Sequence, residues 1–136
     1  MPNLLYDALF GQHAGASTPF LQEVGNQTLT HADFATRASE FAHAMSGLGL
    51  APGDRVALQA EKSIDALAVY AAFVQSGLVF LPLNPAYTSA EMDYFIGNSG
   101  ASLLIASSAR ASALAEFAAR HGTQLQTLDQ DGTGSL

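Results

Sequence analysis

The chain has 136 residues, of which 49% are hydrophobic and 12% charged, with a formal net charge of −7 and no cysteine. This composition excludes a disordered chain, a disulfide-stabilised fold and a thiolate site. The basic residues are few and scattered, which excludes a nucleic-acid surface, since such a surface needs clustered cations. The chain opens without a signal-peptide pattern, and no apolar stretch is long enough for a membrane span. We therefore expect a soluble, cytoplasmic protein.

The start of the chain predicts a short helix followed by a β-hairpin. Asn3 is a candidate cap for a helix that runs to Phe10. Farther along, residues 20–24 and 27–30 have the composition of two short strands. They flank Gly25-Asn26, a sequence typical of a two-residue hairpin turn.

An amphipathic helix is predicted directly after the hairpin. Thr30 and Asp33 form an acidic variant of the capping box at its start. Gly47 and Gly49 mark its end, where the apolar repeat stops. Apolar residues recur every three or four positions in between and give the helix one buried face: Phe34, Ala38, Phe41, Met45 and Leu48.

The middle of the chain reads as strand, buried helix, strand. Residues 55–59 and 78–83 are the two strands. From 66 to 74 every residue is apolar or tyrosine, so we expect the most buried helix of the protein there. Its start is placed at Lys62, and Gly77 occupies the position of a C-terminal cap.

A fourth helix follows the turn that ends the second of these strands. Thr88 and Glu91 match a full capping box at its start. Asp93 then serves as an acid of the first turn, and Gly97 or Asn98 closes the helix. Its inward face consists of three apolar side chains: Met92, Phe95 and Ile96.

The remaining elements complete an α/β pattern. Residues 102–106 predict a buried strand, 109–121 a helix, and 123–128 a last strand near an edge of the sheet. Strands that alternate with helices favour parallel pairing through right-handed crossovers. We expect an α/β fold with a mostly parallel sheet, helices on its faces and a preceding β-hairpin. The strands of that sheet are the segments near 55–59, 79–83, 102–106 and 123–128.

The residues by themselves do not form a complete active site. No phosphate-binding G-x-x-x-x-G-K-[ST] loop and no dinucleotide fingerprint occurs in the sequence. The four histidines lie far apart in the sequence. His121 is at the predicted end of a helix, where the helix dipole favours a cation, and this structural role explains its presence. Asp129, Asp131 and Gly132 resemble the start of a calcium loop, but the later ligands of such a loop do not follow, which favours a plain turn. We therefore expect no metal site and no catalytic residue in this chain.

Several segments resemble the opening of the adenylate-forming acyl-CoA synthetases, the AMP-dependent synthetase/ligase superfamily. The segments that carry this resemblance are Thr28-Leu29-Thr30-His31-Ala32-Asp33-Phe34, residues 50–57 and Phe80-Leu81-Pro82-Leu83-Asn84-Pro85. Three further segments are similar to the malonyl-CoA synthetase branch of that family. They are Glu61-Lys62-Ser63, residues 82–88 and residues 127–136.

The resemblance implies a ligase that activates a carboxylic acid with ATP and Mg²⁺ and then transfers the acyl group to CoA. The acid it implies is malonate or a related small acid, and it implies a role in fatty acid metabolism. The family's phosphate loop, ribose-binding Asp and catalytic Lys do not occur in this sequence. We therefore expect residues 1–136 to form the N-terminal portion of the large domain. The remainder of the enzyme is then its partner, and the chain alone should bind no cofactor and be inactive.

One site can be placed through the resemblance. In related ligases the turn matching Asn84, Pro85, Ala86 and Tyr87 lies toward the CoA nucleotide, so these residues are candidates for the border of that site. A turn that only leads into a capped helix is an equally good interpretation. At the level of function, a free-standing, non-catalytic α/β binding or interaction module remains the alternative.

Overall fold

The structure is a computed structural model, and it describes residues 2–25 and 27–136. The helices are α1 (Leu4–Leu9), α2 (His31–Gly47), α3 (Ile64–Ser76), α4 (Ser89–Ser99) and α5 (Ser108–Arg120), with a 3-10 turn at Gly11–His13. The strands are β1 (Pro19–Gln22), β2 (Thr28–Thr30), β3 (Arg55–Gln59), β4 (Val79–Pro82), β5 (Leu103–Ala106) and β6 (Gln124–Thr127). No helix in these described ranges combines the length and the apolarity that crossing a bilayer would require.

The main sheet has four parallel strands in the order β4-β3-β5-β6, which confirms the predicted α/β fold. In the centre, Val56 of β3 lies opposite Phe80 of β4 and Leu103 of β5. The strands β4 and β6 are the edges, as expected for β6. An edge position also explains Pro82, which cannot donate a ladder hydrogen bond.

Each face of the sheet carries its own hydrophobic core. On one face, α2 and α3 cover the sheet through a cluster that includes Phe34, Met45 and Phe73. On the other face, α4 and α5 pack through Met92 and Leu114, among others. The prediction of a buried central helix is confirmed, because five residues of α3 are fully shielded from solvent: Ala68, Val69, Ala71, Ala72 and Phe73.

Two predicted helix ends are wrong, and each has a local cause. Helix α3 begins at Ile64 rather than Lys62, because the hydroxyl of Ser63 accepts a hydrogen bond from the Ala66 amide at 3.0 Å and caps the helix. Helix α4 continues through Gly97 and Asn98 and ends at Gly100, which has a positive φ of 62°. Gly97 serves a different purpose, since a Cβ there would lie 2.6 Å from Cε1 of His121.

Both predicted capping boxes are present. The Thr30 hydroxyl accepts from the Asp33 amide at 3.1 Å, and the Thr30 amide donates to the Asp33 carboxylate at 3.0 Å. The corresponding distances between Thr88 and Glu91 are 3.3 and 2.8 Å. The backbone hydrogen bond from the capping threonine, followed by its hydroxyl, lowers the pKa of both carboxyl groups.

The hairpin is present, with shorter strands than the sequence predicts. β1 and β2 pair antiparallel, and the pairing shifts register between Pro19 and Leu21. β1 ends at Gln22 rather than at 24 and β2 begins at Thr28 rather than at 27, although the Glu23 amide still donates to the Gln27 carbonyl at 3.4 Å. The predicted turn at Gly25-Asn26 includes Asn26, which lies outside the described residues.

Candidate binding site at the carboxyl edge of the sheet

The carboxyl ends of the four parallel strands meet at one edge of the sheet. Residues 60–63 follow β3, 83–88 follow β4, 107 follows β5, and 128–136 follow β6. Open α/β sheets bind ligands at this edge, because the loops there converge and helices start from them with their N-terminal amides.

A groove of about 660 Å³ lies at this edge. It is lined by residues from three of the converging segments: Ala60, Glu61, Lys62, Asn84, Pro85, Ala86 and Gln130. Three of the four residues that the sequence assigns to a site are therefore brought together there. Tyr87, the fourth, is absent from the lining, and its ring packs against Phe95 with centroids 5.0 Å apart.

The turn that forms one wall of the groove is held from within by Asn84. Its side-chain oxygen accepts from the Ala86 amide at 2.9 Å, and its carbonyl accepts from the Tyr87 amide at 3.0 Å. Thr88 then caps α4. Because these two amides are already hydrogen-bonded, they are not available to donate to a ligand in the groove.

Two side chains from outside the turn hydrogen-bond to its carbonyl oxygens, and the sequence does not single them out. Gln59 is only 2% exposed, and its amide nitrogen lies 3.0 Å from the Asn84 carbonyl oxygen and 3.5 Å from that of Tyr87. Arg110, from α5, donates to the same Tyr87 carbonyl at 3.1 Å. The only sequence signal is the polar Gln59 at the end of an otherwise apolar strand.

Lys62 is a cation of the groove without a protein partner. Across residues 2–25 and 27–136, it is the one Lys or Arg side chain with no hydrogen bond or ion pair. By contrast, the Arg37 Nε donates to the Asp65 carboxylate at 2.8 Å, and this hydrogen bond raises the pKa of Arg37. Position and free charge together make Lys62 a candidate contact for an anionic ligand.

Two acidic residues singled out in the sequence have structural partners. Asp93 lies in the second turn of α4, not the first as predicted, and pairs with Arg120 at 3.1 Å and His121 at 2.8 Å. The Asp129 carboxylate accepts from the Ser108 amide at 2.8 Å, at the start of α5.

The tail forms a turn that is held by hydrogen bonds of its own residues. Hydrogen bonds from the Thr133 hydroxyl and then its amide lower the pKa of Asp131. In the part of the chain that the structure describes, no group of His, Asp or Glu side chains has the arrangement of a metal site.

A second, wider groove of about 1450 Å³ runs between the hairpin, α2 and the tail. Its charged lining consists of six carboxylates and one arginine: Glu23, Asp33, Glu40, Asp65, Asp129, Asp131 and Arg37. Such a surface repels phosphate groups. The smaller groove, with Lys62 on its wall, is the better candidate for a nucleotide.

Comparisons with known proteins agree with this fold. A family model described as AMP-binding enzyme matches residues 12–135. The crystal structure of apo MatB from Rhodopseudomonas palustris superposes with a TM-score of 0.93 at 36% sequence identity, over 99% of this chain and 27% of that one. The same scores hold for the ATP-bound crystal structure of MatB.

Curated relatives match at similar identity over shorter stretches. A feruloyl-CoA synthase from Amycolatopsis is 36% identical over 95 residues, which cover 70% of this chain and 19% of the relative. Tyrocidine synthase 3 from Brevibacillus parabrevis is 31% identical over 84 residues, or 62% of this chain and 1% of the relative. The chain thus spans a small part of the length of the proteins it matches.

Proposed function

Because the chain belongs to the AMP-binding enzyme family, we propose that it forms one portion of an ATP-dependent acid–CoA ligase. In this proposal residues 1–136 are the N-terminal portion of the large domain. The proposal is supported by the similarity to MatB along nearly the whole chain, although the chain spans only 27% of MatB. The similarity to a feruloyl-CoA synthase supports CoA as the acyl acceptor.

The whole protein would join an acid to CoA in two steps. The carboxylate attacks the α-phosphorus of ATP and releases pyrophosphate, which leaves an acyl-adenylate. The CoA thiol then attacks the acyl carbon, and AMP leaves as the thioester forms. Mg²⁺ would supply charge neutralisation of the phosphates in the first step. We assign the phosphate loop and the catalytic Lys to parts of the protein beyond these 136 residues.

The acid we propose is malonate or a related small acid. This choice rests on the sequence resemblance of residues 61–63, 82–88 and 127–136 to malonyl-CoA synthetases. Within the family the comparisons also reach a feruloyl-CoA synthase, so the family alone does not select the acid.

The role we propose for this chain is to form part of the border of the CoA nucleotide site. The observation that carries it is the groove at the carboxyl edge, which is lined by Asn84, Pro85 and Ala86 together with the cation Lys62. A phosphorylated nucleotide fits this arrangement, because its anionic groups would meet Lys62 while its apolar parts rest against Pro85 and Ala86.

The test places a negative charge on the wall of the groove. The protein used is a chimaera in which these 136 residues replace the matching segment of MatB. It is compared with the same chimaera carrying Ala86→Asp. At about 4 Å in water, two unit charges repel by about 1 kcal/mol, so we expect the KM for CoA to rise about fivefold while the KM for ATP is unchanged.

The matched control is Ala90→Asp. Ala90 is also exposed and lies close in sequence, but it is not part of the groove lining, so the same charge there should leave both KM values unchanged. An unchanged KM for CoA in the Ala86→Asp chimaera would remove the turn from the CoA site. An equal rise in both variants would indicate a general effect of charge and would contradict the proposal as well.

A further inference from the structure

We propose that Gln59 and Arg110 are positioning residues that fix the Asn84–Tyr87 turn in the shape the CoA groove needs. This inference rests on the proposed function, because it concerns the same groove. Neither side chain lines the groove itself. Both donate to carbonyl oxygens of the turn: Gln59 to that of Asn84, which also accepts from the Tyr87 amide, and Arg110 to that of Tyr87.

Gln59 supports both ends of the turn at once. Its amide nitrogen donates to the Asn84 carbonyl at 3.0 Å and lies 3.5 Å from the Tyr87 carbonyl oxygen. Gln59 is the last residue of the central strand β3, where it lies opposite Ala106 of β5, and the preceding Leu58 lies opposite Pro82 of β4, so its backbone is held in the sheet. Because this backbone is rigid, the side-chain amide of Gln59 holds the two ends of the turn at a constant separation.

Arg110 holds the turn from a different element. It extends from α5 and donates to the Tyr87 carbonyl at 3.1 Å, so that oxygen receives donors from both the sheet and a helix. The internal hydrogen bonds of Asn84 order the turn itself but do not attach it to the sheet. Gln59 attaches the turn to the sheet, and Arg110 attaches it to α5.

Packing alone does not explain these residue types. Within the described residues, Oε1 of Gln59 and Nε of Arg110 are buried and have no hydrogen-bond partner in the protein. A buried polar atom without a partner lowers stability, whereas a methionine would fill the same space at position 59 without that cost. The side chains of Gln59 and Arg110 therefore lower stability through these atoms while they donate hydrogen bonds to the turn.

The first test measures the turn directly in the 136-residue chain by amide hydrogen exchange. In Gln59→Met the donor is replaced by an apolar side chain of similar length, so exchange at Ala86 and Tyr87 should accelerate about tenfold. Amides in the middle of α2 should not change, because α2 packs in the core on the face of the sheet opposite α4 and α5. The matched control is Gln124→Met, which removes a comparable bond from a Gln side chain to the Leu48 carbonyl, at 3.1 Å.

The second test measures CoA use in the chimaera with MatB. Gln59→Met and Arg110→Met should each raise the KM for CoA several-fold without raising that for ATP, and Arg110→Lys should recover part of the loss because it keeps a donor. A purely structural role would instead lower the yield of active enzyme and leave both KM values unchanged. That result, or unchanged exchange at Ala86 and Tyr87, would overturn the inference.

The Ala86→Asp chimaera separates this inference from the proposed function. If Ala86→Asp raises the KM for CoA while Gln59→Met and Arg110→Met do not, the CoA site stands and the positioning role is refuted. If none of the three raises it, the CoA site itself is refuted, and the inference is refuted with it.

Discussion

Thr88→Ala should destabilise the chain by about 1 kcal/mol, the usual cost of losing a helix N-cap. Thr88 is exposed, so the substitution buries no polar group and leaves no cavity. It removes two hydrogen bonds: the one that the hydroxyl accepts from the Glu91 amide at 3.3 Å and the one that it donates to the Glu91 carboxylate at 2.9 Å. The bond from the Thr88 amide to that carboxylate, at 2.8 Å, is kept.

The second capping box gives an internal comparison. The Thr30 hydroxyl accepts from the Asp33 amide at 3.1 Å, a shorter distance than the 3.3 Å at Thr88. We therefore expect Thr30→Ala to lose at least as much stability as Thr88→Ala. Thr88→Ser keeps the hydroxyl and should retain most of the stability.

The assay is urea unfolding of the four purified chains, supported by thermal melts. A loss of about 1 kcal/mol should lower the Tm by about 3–5 °C in a chain of this size. The reasoning is refuted if Thr88→Ser loses as much as Thr88→Ala, because the hydroxyl would then not be the source of the stability. A loss in Thr88→Ala that cannot be distinguished from zero would refute the capped start of α4.

Two further predictions concern acid stability and the core. Glu91 has a folded pKa below its ordinary 4.5, so the stability it contributes is present above 4.5 and is lost as the pH falls through the folded value. The difference in free energy of unfolding between wild type and Thr88→Ala should therefore become smaller between pH 7 and about pH 3. A difference that stays constant would contradict the interaction of the Thr88 hydroxyl with the Glu91 carboxylate. Phe73→Ala should lower the free energy of unfolding by about 3–5 kcal/mol because Phe73 is fully buried. Tyr94→Ala should lower it far less, because Tyr94 is 64% exposed. Similar losses for both variants in chemical denaturation would count against the core described above.

The fold could be predicted because local signals and hydrophobic pattern agreed along most of the chain. The Thr30 and Thr88 boxes define helix starts by side-chain chemistry, and the apolar run at 66–74 leaves only an interior position for its helix. Errors arose where a residue type has more than one use. The sequence predicts a helix end at Gly97 or Asn98, whereas Gly97 provides space for the ring of His121, a residue far from it in the sequence.

The candidate site was predicted only in part for the same reason. The turn at residues 84–87 could be placed because it follows a strand end and because the segment resembles a known family. Its supports come from β3 and α5, 25 residues before Asn84 and 23 after Tyr87, and no local pattern connects them. The free charge of Lys62 likewise becomes apparent only when the partners of the other cations are known.

The central claim is that these residues are one portion of an acid–CoA ligase. The most direct test mixes ATP, Mg²⁺, malonate and CoA with either the purified chain or the folded chimaera with MatB, and follows pyrophosphate and thioester. Transition-state charge needs positioned donors and cations around the phosphates, and the loss of even one donor commonly costs about 10²–10³-fold in rate. We predict no turnover by the chain alone and thioester formation by the chimaera. Turnover by the 136 residues alone, or a folded chimaera that makes no thioester, would contradict the account.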